Sequence, residues 1–205
     1  MLKRKRTPKP HRLFKGEREL TMREIFGMKN KKAEALRKLA SKIGEHNFFE
    51  LKKAGLSAKQ IFELVQAIGI ENFSVSLLHY NFYPNQISQL VKELKIKNVA
   101  KFFKGLKGSI DAPANFARVL TIGELINFIQ ATHDATIAGE FFSEMSKGHG
   151  EKITMFVRAI GGGTNAGVTL SSLGLTSVID DLKNCSNSKE IIEFGKACKN
   201  ELRLN

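Results

Sequence analysis

The stretch LSAKQIFELV at residues 56–65 joins a helix start signal to an amphipathic run. Ser57 and Gln60 have the spacing of a capping box, in which the hydroxyl accepts from an amide of the first turn and the carboxamide accepts from the N–H of the capping residue. Aliphatic residues follow at helical spacing, so the stretch predicts a helix over 58–68 that buries one face.

The chain repeats this start signal with variations. Thr21 with Glu24 and Thr121 with Glu124 are complete capping boxes, whereas Tyr83 replaces the hydroxyl in a segment that gains Pro84 at the first helical position. The segment at Leu175 lacks the acid or amide. The related segments are LTMREIF at 20–26, FYPNQISQLV at 82–91, LTIGELI at 120–126 and LTSVIDDL at 175–182.

A second recurring phrase follows the first and predicts the start of a partner helix. It occurs as HNFFEL at 46–51, ENFSVSLL at 71–78 and KNVAKFF at 97–103, and more loosely as ATIAGEFF at 135–142 and TNAGVTL at 164–170. Asn72 lies 25 positions after Asn47, and Asn98 lies 26 positions after Asn72, which is enough for two short helices and two turns. Such a unit cannot bury its own apolar stripe, so neighbouring units must stack.

The predicted fold is therefore all-α, a right-handed α-solenoid of about six irregular helix-turn-helix repeats over residues 20–205. Residues 107–119 contain Gly108 and Pro113 and interrupt the rhythm, as a degenerate repeat or a break. The patterns predict helices at 21–28, 32–43, 48–53, 58–68, 73–80, 84–94, 99–106, 122–132, 137–145, 152–160, 166–173, 177–184 and 189–202.

Composition favours a soluble protein in a reducing compartment. The 205 residues are 42% hydrophobic, without an apolar run long enough to span a membrane or a secretory signal segment. Cys185 and Cys198 are the only cysteines, which indicates ordinary thiols rather than a disulfide framework.

Positive charge is concentrated at the start of the chain. Residues 1–55 hold 17 lysines and arginines against 6 acids, while residues 56–205 hold 16 against 14. The first 19 residues, rich in cations and interrupted by Pro8 and Pro10, predict a flexible basic arm. Such an arm can contact phosphates, act as a nuclear address, adhere to an anionic membrane surface, or serve only as a solvated tail.

A second basic cluster lies within the repeats, at Lys92, Lys95, Lys97, Lys101, Lys104 and Lys107. On a helix that begins near Asn98, three of these lysines share one face and apolar side chains take the other. A solvated helix face is the alternative interpretation. The predicted nucleic-acid-binding residues are Lys3, Arg4, Lys5, Arg6, Lys9, Arg12, Lys95, Lys97, Lys101, Lys104 and Lys107.

Two segments, AGLSAKQIFELVQAIGIENFSVSLL at 54–78 and VRAIGGGTNAGVTLSSLGLTSVI at 157–179, resemble the repeats of transcription-activator-like effectors. Mitochondrial transcription termination factors have a similar opening to the unit. The resemblance implies a DNA-binding α-solenoid. The start signals here lie 36, 26, 38 and 55 residues apart, and acids occupy three of the five inter-helix positions, so a strict code of one repeat per base is not expected.

Other chemistries find little support in the sequence. Gly161-x-Gly163-x-x-Ala166 after a strand-like 153–157 imitates a dinucleotide fingerprint, but only 39 residues follow Ala166, too few for the remaining βαβ units. The five histidines show no metal-ligand spacing, and the recurrent phenylalanines are expected in the core. We therefore predict no catalytic residues, no metal site and no cofactor.

The sequence predicts a non-enzymatic nucleic-acid-binding protein, with duplex DNA as the expected partner and phosphate contacts as the main source of affinity. An arm before degenerate repeats also suits a bacterial effector that acts in a host nucleus. The alternative is a helical-repeat module that binds another protein on its concave face, with the arm serving only as a targeting signal.

Overall fold

The computed structural model describes residues 31–70, 73, 82–106 and 120–204. The basic arm at 1–19, the predicted helix at 21–28, nearly all of the one at 73–80 and the segment 107–119 lie outside the described residues.

The described residues form helices and no strands, so the all-α prediction is confirmed. The helices are α1 (Lys31–Ile43), α2 (Glu45–Lys53), α3 (Ala58–Ile68), α4 (Pro84–Gly105), α5 (Ile122–Ala131), α6 (Ala135–Ser146), α7 (Gly150–Ile160), α8 (Gly163–Leu173), α9 (Leu175–Asn184) and α10 (Ser188–Glu201). The predicted helices at 84–94 and 99–106 form one element with a kink at Lys95. None of the described helices combines the length and the apolar character needed to cross a bilayer.

The two complete capping boxes within the described residues form as the sequence predicts. In α3, the Gln60 amide donates to Ser57 Oγ over 3.2 Å, and the Ser57 amide donates to Gln60 Oε1 over 2.9 Å. Thr121 and Glu124 form the same reciprocal pair at the start of α5. At α4 only half of the box exists, because the Tyr83 amide donates to Gln86 Oε1 but a tyrosine has no hydroxyl near the first turn.

The strand-like segment 153–157 is helical and belongs to α7. Gly161 ends that helix in the left-handed conformation, with φ of 95°, as a glycine C-cap does. The dinucleotide-binding interpretation fails, since no strand precedes the glycines. Helices α7 and α8 begin two or three residues earlier than predicted because Gly150 and Gly163 lie inside their first turns.

Burial repeats along the chain in a fixed register. The set of buried residues that begins at Leu56 recurs 26 positions later and again 38 positions after that. The three sets are Leu56, Ile61, Leu64, Val65 and Ile68; Phe82, Ile87, Leu90, Val91 and Leu94; and Leu120, Leu125, Phe128, Ile129 and Thr132. The second half of α4 matches α6 at 39 positions, through Val99, Phe102, Phe103 and Leu106 against Ala138, Phe141, Phe142 and Met145. The same side-chain positions therefore face the core in successive units.

A few extensive helix pairs hold the described helices together. The most extensive pairs are α3 with α4, α4 with α6, α5 with α8, and α7 with α10. Helices α5 and α8 run in the same direction, because Gly163 adjoins Glu124 while the Ser171 hydroxyl donates to the Ala131 carbonyl over 3.3 Å. From residue 120 onward, α5, α6 and α7 pack on α8, α9 and α10, so each packs on the third helix after it. The sequence analysis predicted units of two helices.

Glycines permit this close packing. A Cβ at Gly139 in α6 would overlap the Phe102 carbonyl oxygen of α4, and a Cβ at Gly105 would overlap the Thr136 carbonyl. Gly163 and Gly167 of α8 have the same relation to α5, and Gly195 of α10 meets Ala159 of α7. Backbones therefore touch at three of the stacking interfaces, which fixes the spacing between helices.

Lys152 ties α7 to the end of α9. Its half-buried ammonium group donates to the carbonyl oxygens of Leu182, Lys183 and Cys185 at 3.1, 3.0 and 2.8 Å. These carbonyls belong to the last turn of α9 and the residue that follows it, where no intrahelical donors remain. A cation there also interacts favourably with the negative end of the helix dipole.

We expect Gly139→Ala to lower the free energy of unfolding by about 1–3 kcal/mol, because the new methyl group meets rigid backbone. Gly123→Ala is the matched control: it lies in α5, and a Cβ there has only Thr121 Oγ1 at 4.0 Å. The control should be neutral or slightly stabilising through helix propensity. Urea denaturation followed by circular dichroism measures both, and equal stability of the two variants would contradict the close-packing account.

We expect Lys152→Ala to lower the free energy of unfolding by about 1–3 kcal/mol, because three partly buried carbonyls lose their donor. The control is Lys147→Ala, which removes an exposed pair to Glu144 at 2.9 Å and should cost below about 0.5 kcal/mol. Thermal denaturation separates the two cases. If both variants lose the same stability, the carbonyl contacts of Lys152 contribute no more than a surface ion pair.

Candidate nucleic-acid interface

The basic cluster predicted within the repeats lies on α4. This helix carries five lysines and a single glutamate, Glu93. Lys92, Lys95, Lys97 and Lys104 are exposed, and Lys101 is half-buried. The predicted division of faces is confirmed, since Lys97 and Lys104 are exposed on one side of the second half of α4 while its apolar residues are buried on the other.

Aromatic packing holds the lysine-bearing helix in place. Phe102 lies 6.2 Å from Phe142 of α6 between ring centroids, at an interplanar angle of 83°, and Phe103 lies 5.5 Å from Phe82. Edge-on ring contacts at these distances contribute stability beyond burial of area. The second half of α4 is therefore anchored through its buried face, so its exposed lysines project from a fixed support.

Lys101 forms an ion pair with a described acid, unlike the other predicted binding lysines of α4. Its Nζ lies 3.4 Å from Asp134 Oδ1, with 42% and 45% of the two side chains exposed. Asp134 also caps α6 by accepting from the Thr136 amide over 2.9 Å. That backbone hydrogen bond is the largest of the effects that lower the pKa of Asp134, and Lys101 adds to it. Lys101 thus connects α4 to the start of α6 and is less available to a ligand.

Four of the five lysines of α4 lack the acidic partners that several other lysines in the described part of the chain have. Elsewhere, six described lysines pair with acids: Lys38 with Glu34, Lys53 with Glu50, Lys59 with Glu63, Lys147 and Lys183 with Glu144, and Lys189 with Glu193. Lys92, Lys95, Lys97 and Lys104 have no ion pair with any described acid. Their charge is therefore not compensated by any described acid.

Lys95 has a backbone conformation that the sequence analysis did not anticipate. It lies inside α4 with φ of 63° and ψ of 155°, and it separates the helix into two halves. A signal for this kink is present in the sequence: Gly44, Gly69 and Lys95 are 25 and 26 positions apart, the same spacings that relate Asn47, Asn72 and Asn98. Comparison of the glycine positions between repeats would have found it.

The remaining predicted binding residues belong to the start of the chain and to the segment after α4. Lys107 and the arm residues lie outside the described part of the chain. Those arm residues are Lys3, Arg4, Lys5, Arg6, Lys9 and Arg12. Among the predicted set, the structure brings together Lys95, Lys97 and Lys104 on α4, with Lys101 beside them in its pair with Asp134.

Residues considered for other chemistry show no constellation among the described positions. No group of three or more histidine, cysteine, aspartate or glutamate residues there could hold a metal ion. Burial raises the pKa of Cys198 to about 11 and raises that of Cys185, so both thiols are poor nucleophiles. His46 and His133 are exposed, and His149, whose pKa burial lowers, lies beside Lys152 and Lys183 rather than a carboxylate.

Comparison of the chain with protein-family models, curated proteins and solved structures finds no match.

We expect Asp134→Ala to destabilise the protein by about 1 kcal/mol near pH 7, because α6 loses its N-cap acceptor. The folded state holds the Asp134 pKa below its usual value, so this contribution is present above the unfolded-state pKa and disappears as the pH falls through the folded-state pKa. The stability difference from the parent should therefore shrink between about pH 5 and about pH 2. Asp134→Asn, which keeps an acceptor oxygen, should lose less. A pH-independent difference in urea denaturation would contradict this origin of the pKa.

Proposed function

We propose that the protein is a non-enzymatic helical-repeat protein that binds duplex DNA. The exposed lysines of α4 and the basic arm contact phosphates, and the stacked helices set the orientation of these contacts.

The observation that carries the proposal is the row of lysines on the second half of α4. Lys97 and Lys104 are exposed, lack acidic partners among the described residues, and project from a helix whose opposite face is fully buried. Seven residues of helix separate them by about 10 Å, so the two ammonium groups can contact different phosphates. Four of the five lysines of α4 lack a described acidic partner, whereas six lysines elsewhere in the described chain pair with acids.

The distribution of charge along the chain supports the same partner. The first 19 residues contain eight lysines and arginines and two glutamates, and they precede α1 by about ten residues. Phosphate-dominated binding depends on such sequence-independent positive charge. The same arm suits a nuclear address, and we extend the proposal to action in a nucleus, as by an effector that enters a host cell.

The repeat architecture supports the proposed α-solenoid. The burial register recurs at 26, 38 and 39 positions, and equivalent helices pack on each other in order along the chain. We propose a right-handed solenoid with units of two helices up to residue 106 and of three from residue 120. In this arrangement the ends of equivalent helices form continuous edges, on which side chains of successive units can contact one extended ligand.

A protein partner is the second candidate, and the described surface favours it less. Tyr83 and Ile192 are the large apolar side chains most exposed in the described part of the chain, at 64% and 39%, and they lie at the start of α4 and within α10. Protein interaction sites usually have a contiguous apolar patch rather than isolated side chains. The described surface offers more charge than apolar area to a ligand.

The test is fluorescence anisotropy of a labelled mixed-sequence duplex with the full chain across a salt series. We expect Lys97→Gln with Lys104→Gln to weaken binding and to reduce the slope of log K against log salt by about 2, because two phosphate contacts are lost. The matched control neutralises Lys189 and Lys196 on α10, where both side chains are exposed. The control should leave the slope unchanged.

Two outcomes would overturn the proposal. If the full chain fails to bind the duplex even at low salt, DNA binding is excluded and a protein partner becomes the leading candidate. If the α4 variant and the α10 control lose affinity equally, binding depends on total charge and the α4 row is not the site.

A further inference from the structure

Several helix-to-helix junctions in this chain share one unusual backbone conformation. Gly44, between α1 and α2, has φ of 84° and ψ of 130°; Gly69, at the end of α3, has 91° and 144°; and Gly174, between α8 and α9, has 88° and 146°. At each of these junctions helical structure resumes at the next residue. Glycine populates this region because it has no Cβ, and for other residues the region is nearly inaccessible.

Lys95 adopts the same conformation without being glycine. Its φ of 63° and ψ of 155° place it at the corresponding junction between the two halves of α4. A Cβ in this region is strained, so glycine would form the same junction at a lower free energy. This position therefore has a lysine although glycine would be more favourable in this backbone conformation.

Packing does not explain this lysine. Lys95 is exposed, and it forms neither a hydrogen bond nor an ion pair with the described residues. A side chain kept at a strained position without an internal contact is more consistent with a role toward a ligand than with a role in folding. The neighbouring exposed residues Lys92 and Lys97 make the junction strongly basic.

The next junction along the stack also has a non-glycine residue with a positive φ. His133 follows α5 with φ of 56° and lies 38 positions after Lys95, which is the offset that relates the buried residues of α4 and α5. It is also exposed, and α5 packs against α4. Two non-glycine residues with nitrogen-containing side chains thus occupy corresponding positions on neighbouring helices.

Acids near these junctions leave the surface positive. Asp134 already accepts from the Thr136 amide and pairs with Lys101. Glu93 is exposed, and it lies between Lys92 and Lys95 in the sequence. On the α4 side of the junction, the three exposed lysines are therefore accompanied by one carboxylate, that of Glu93.

We propose that Lys95 is a principal phosphate-contacting residue of the DNA-binding surface, retained at a strained junction for its charge. The inference rests on the proposed function and specifies the binding edge: the junction edge formed by Lys92, Lys95, Lys97 and His133. It assigns Lys95 a role separate from that of Lys104, further along the helix.

Two substitutions of Lys95 in the full chain separate charge from backbone strain. Lys95→Gly removes both the charge and the strain, so we expect the melting temperature to rise by about 2–4 °C while affinity for the duplex falls on the order of 3- to 10-fold. Lys95→Ala removes the charge but keeps a Cβ, so affinity should fall equally without the rise in melting temperature. Lys196→Ala, an exposed lysine on α10, should leave affinity unchanged.

The outcomes distinguish this inference from the proposed function. Binding by the parent chain that is unaffected in both Lys95 variants would overturn the role of Lys95 and leave DNA binding intact. A melting temperature that does not rise in Lys95→Gly would show that the lysine is not held against the backbone preference, which removes the reason for assigning it a function. Absence of binding by the parent chain would overturn both proposals.

Discussion

The close stacking of short helices is the constraint on which the rest of the structure depends. The described helices have between 9 and 22 residues, and most are too short to persist alone in water. They bury their apolar stripes against one another, and glycines allow close approach at α4 with α6, α5 with α8, and α7 with α10. Loss of one such contact would displace a helix relative to all that follow it.

Aromatic rings connect these interfaces into one core. Successive ring contacts of 5.0 to 6.5 Å lead from the start of α4 to α10. The chain of rings is Phe82, Phe103, Phe102, Phe142, Phe128, Phe141, Phe156 and Phe194. Because Phe102 and Phe103 belong to the lysine-bearing helix, the candidate binding surface is fixed to the same core that orders the C-terminal helices. Its lysines therefore keep their relative positions without contacts to one another.

Two features of the candidate surface destabilise the free protein. Like charges on α4 repel each other in the absence of a ligand, and Lys95 holds a backbone conformation that glycine would adopt more readily. Both penalties are small beside the burial of the aromatic core, which is why the fold can tolerate them. An anionic partner would relieve the repulsion, so the same residues that weaken the free protein favour the proposed complex.

Local patterns in the sequence determined the helices and much of the core. Ser57, Thr121 and their partners three residues later start helices by hydrogen bonds within a few residues, so the start points could be predicted without knowledge of the fold. The expectation that Phe48, Phe73, Phe102, Phe103, Phe141 and Phe142 are core residues is also confirmed, since all are buried. Helical periodicity likewise assigned Lys97 and Lys104 to an exposed face.

Only the tertiary structure decided which helices pack together and which lysines remain unpaired. The pair of Lys101 with Asp134 joins residues 33 positions apart, and no local pattern specifies it. The sequence analysis placed Gly139 and Gly167 inside helices but gave no reason for a glycine there, because the neighbouring backbone that requires each of them belongs to another helix. Capping and periodicity act within a turn or two of the chain, whereas ion pairing, close backbone approach and the strain at Lys95 depend on contacts or geometry set by the assembled stack.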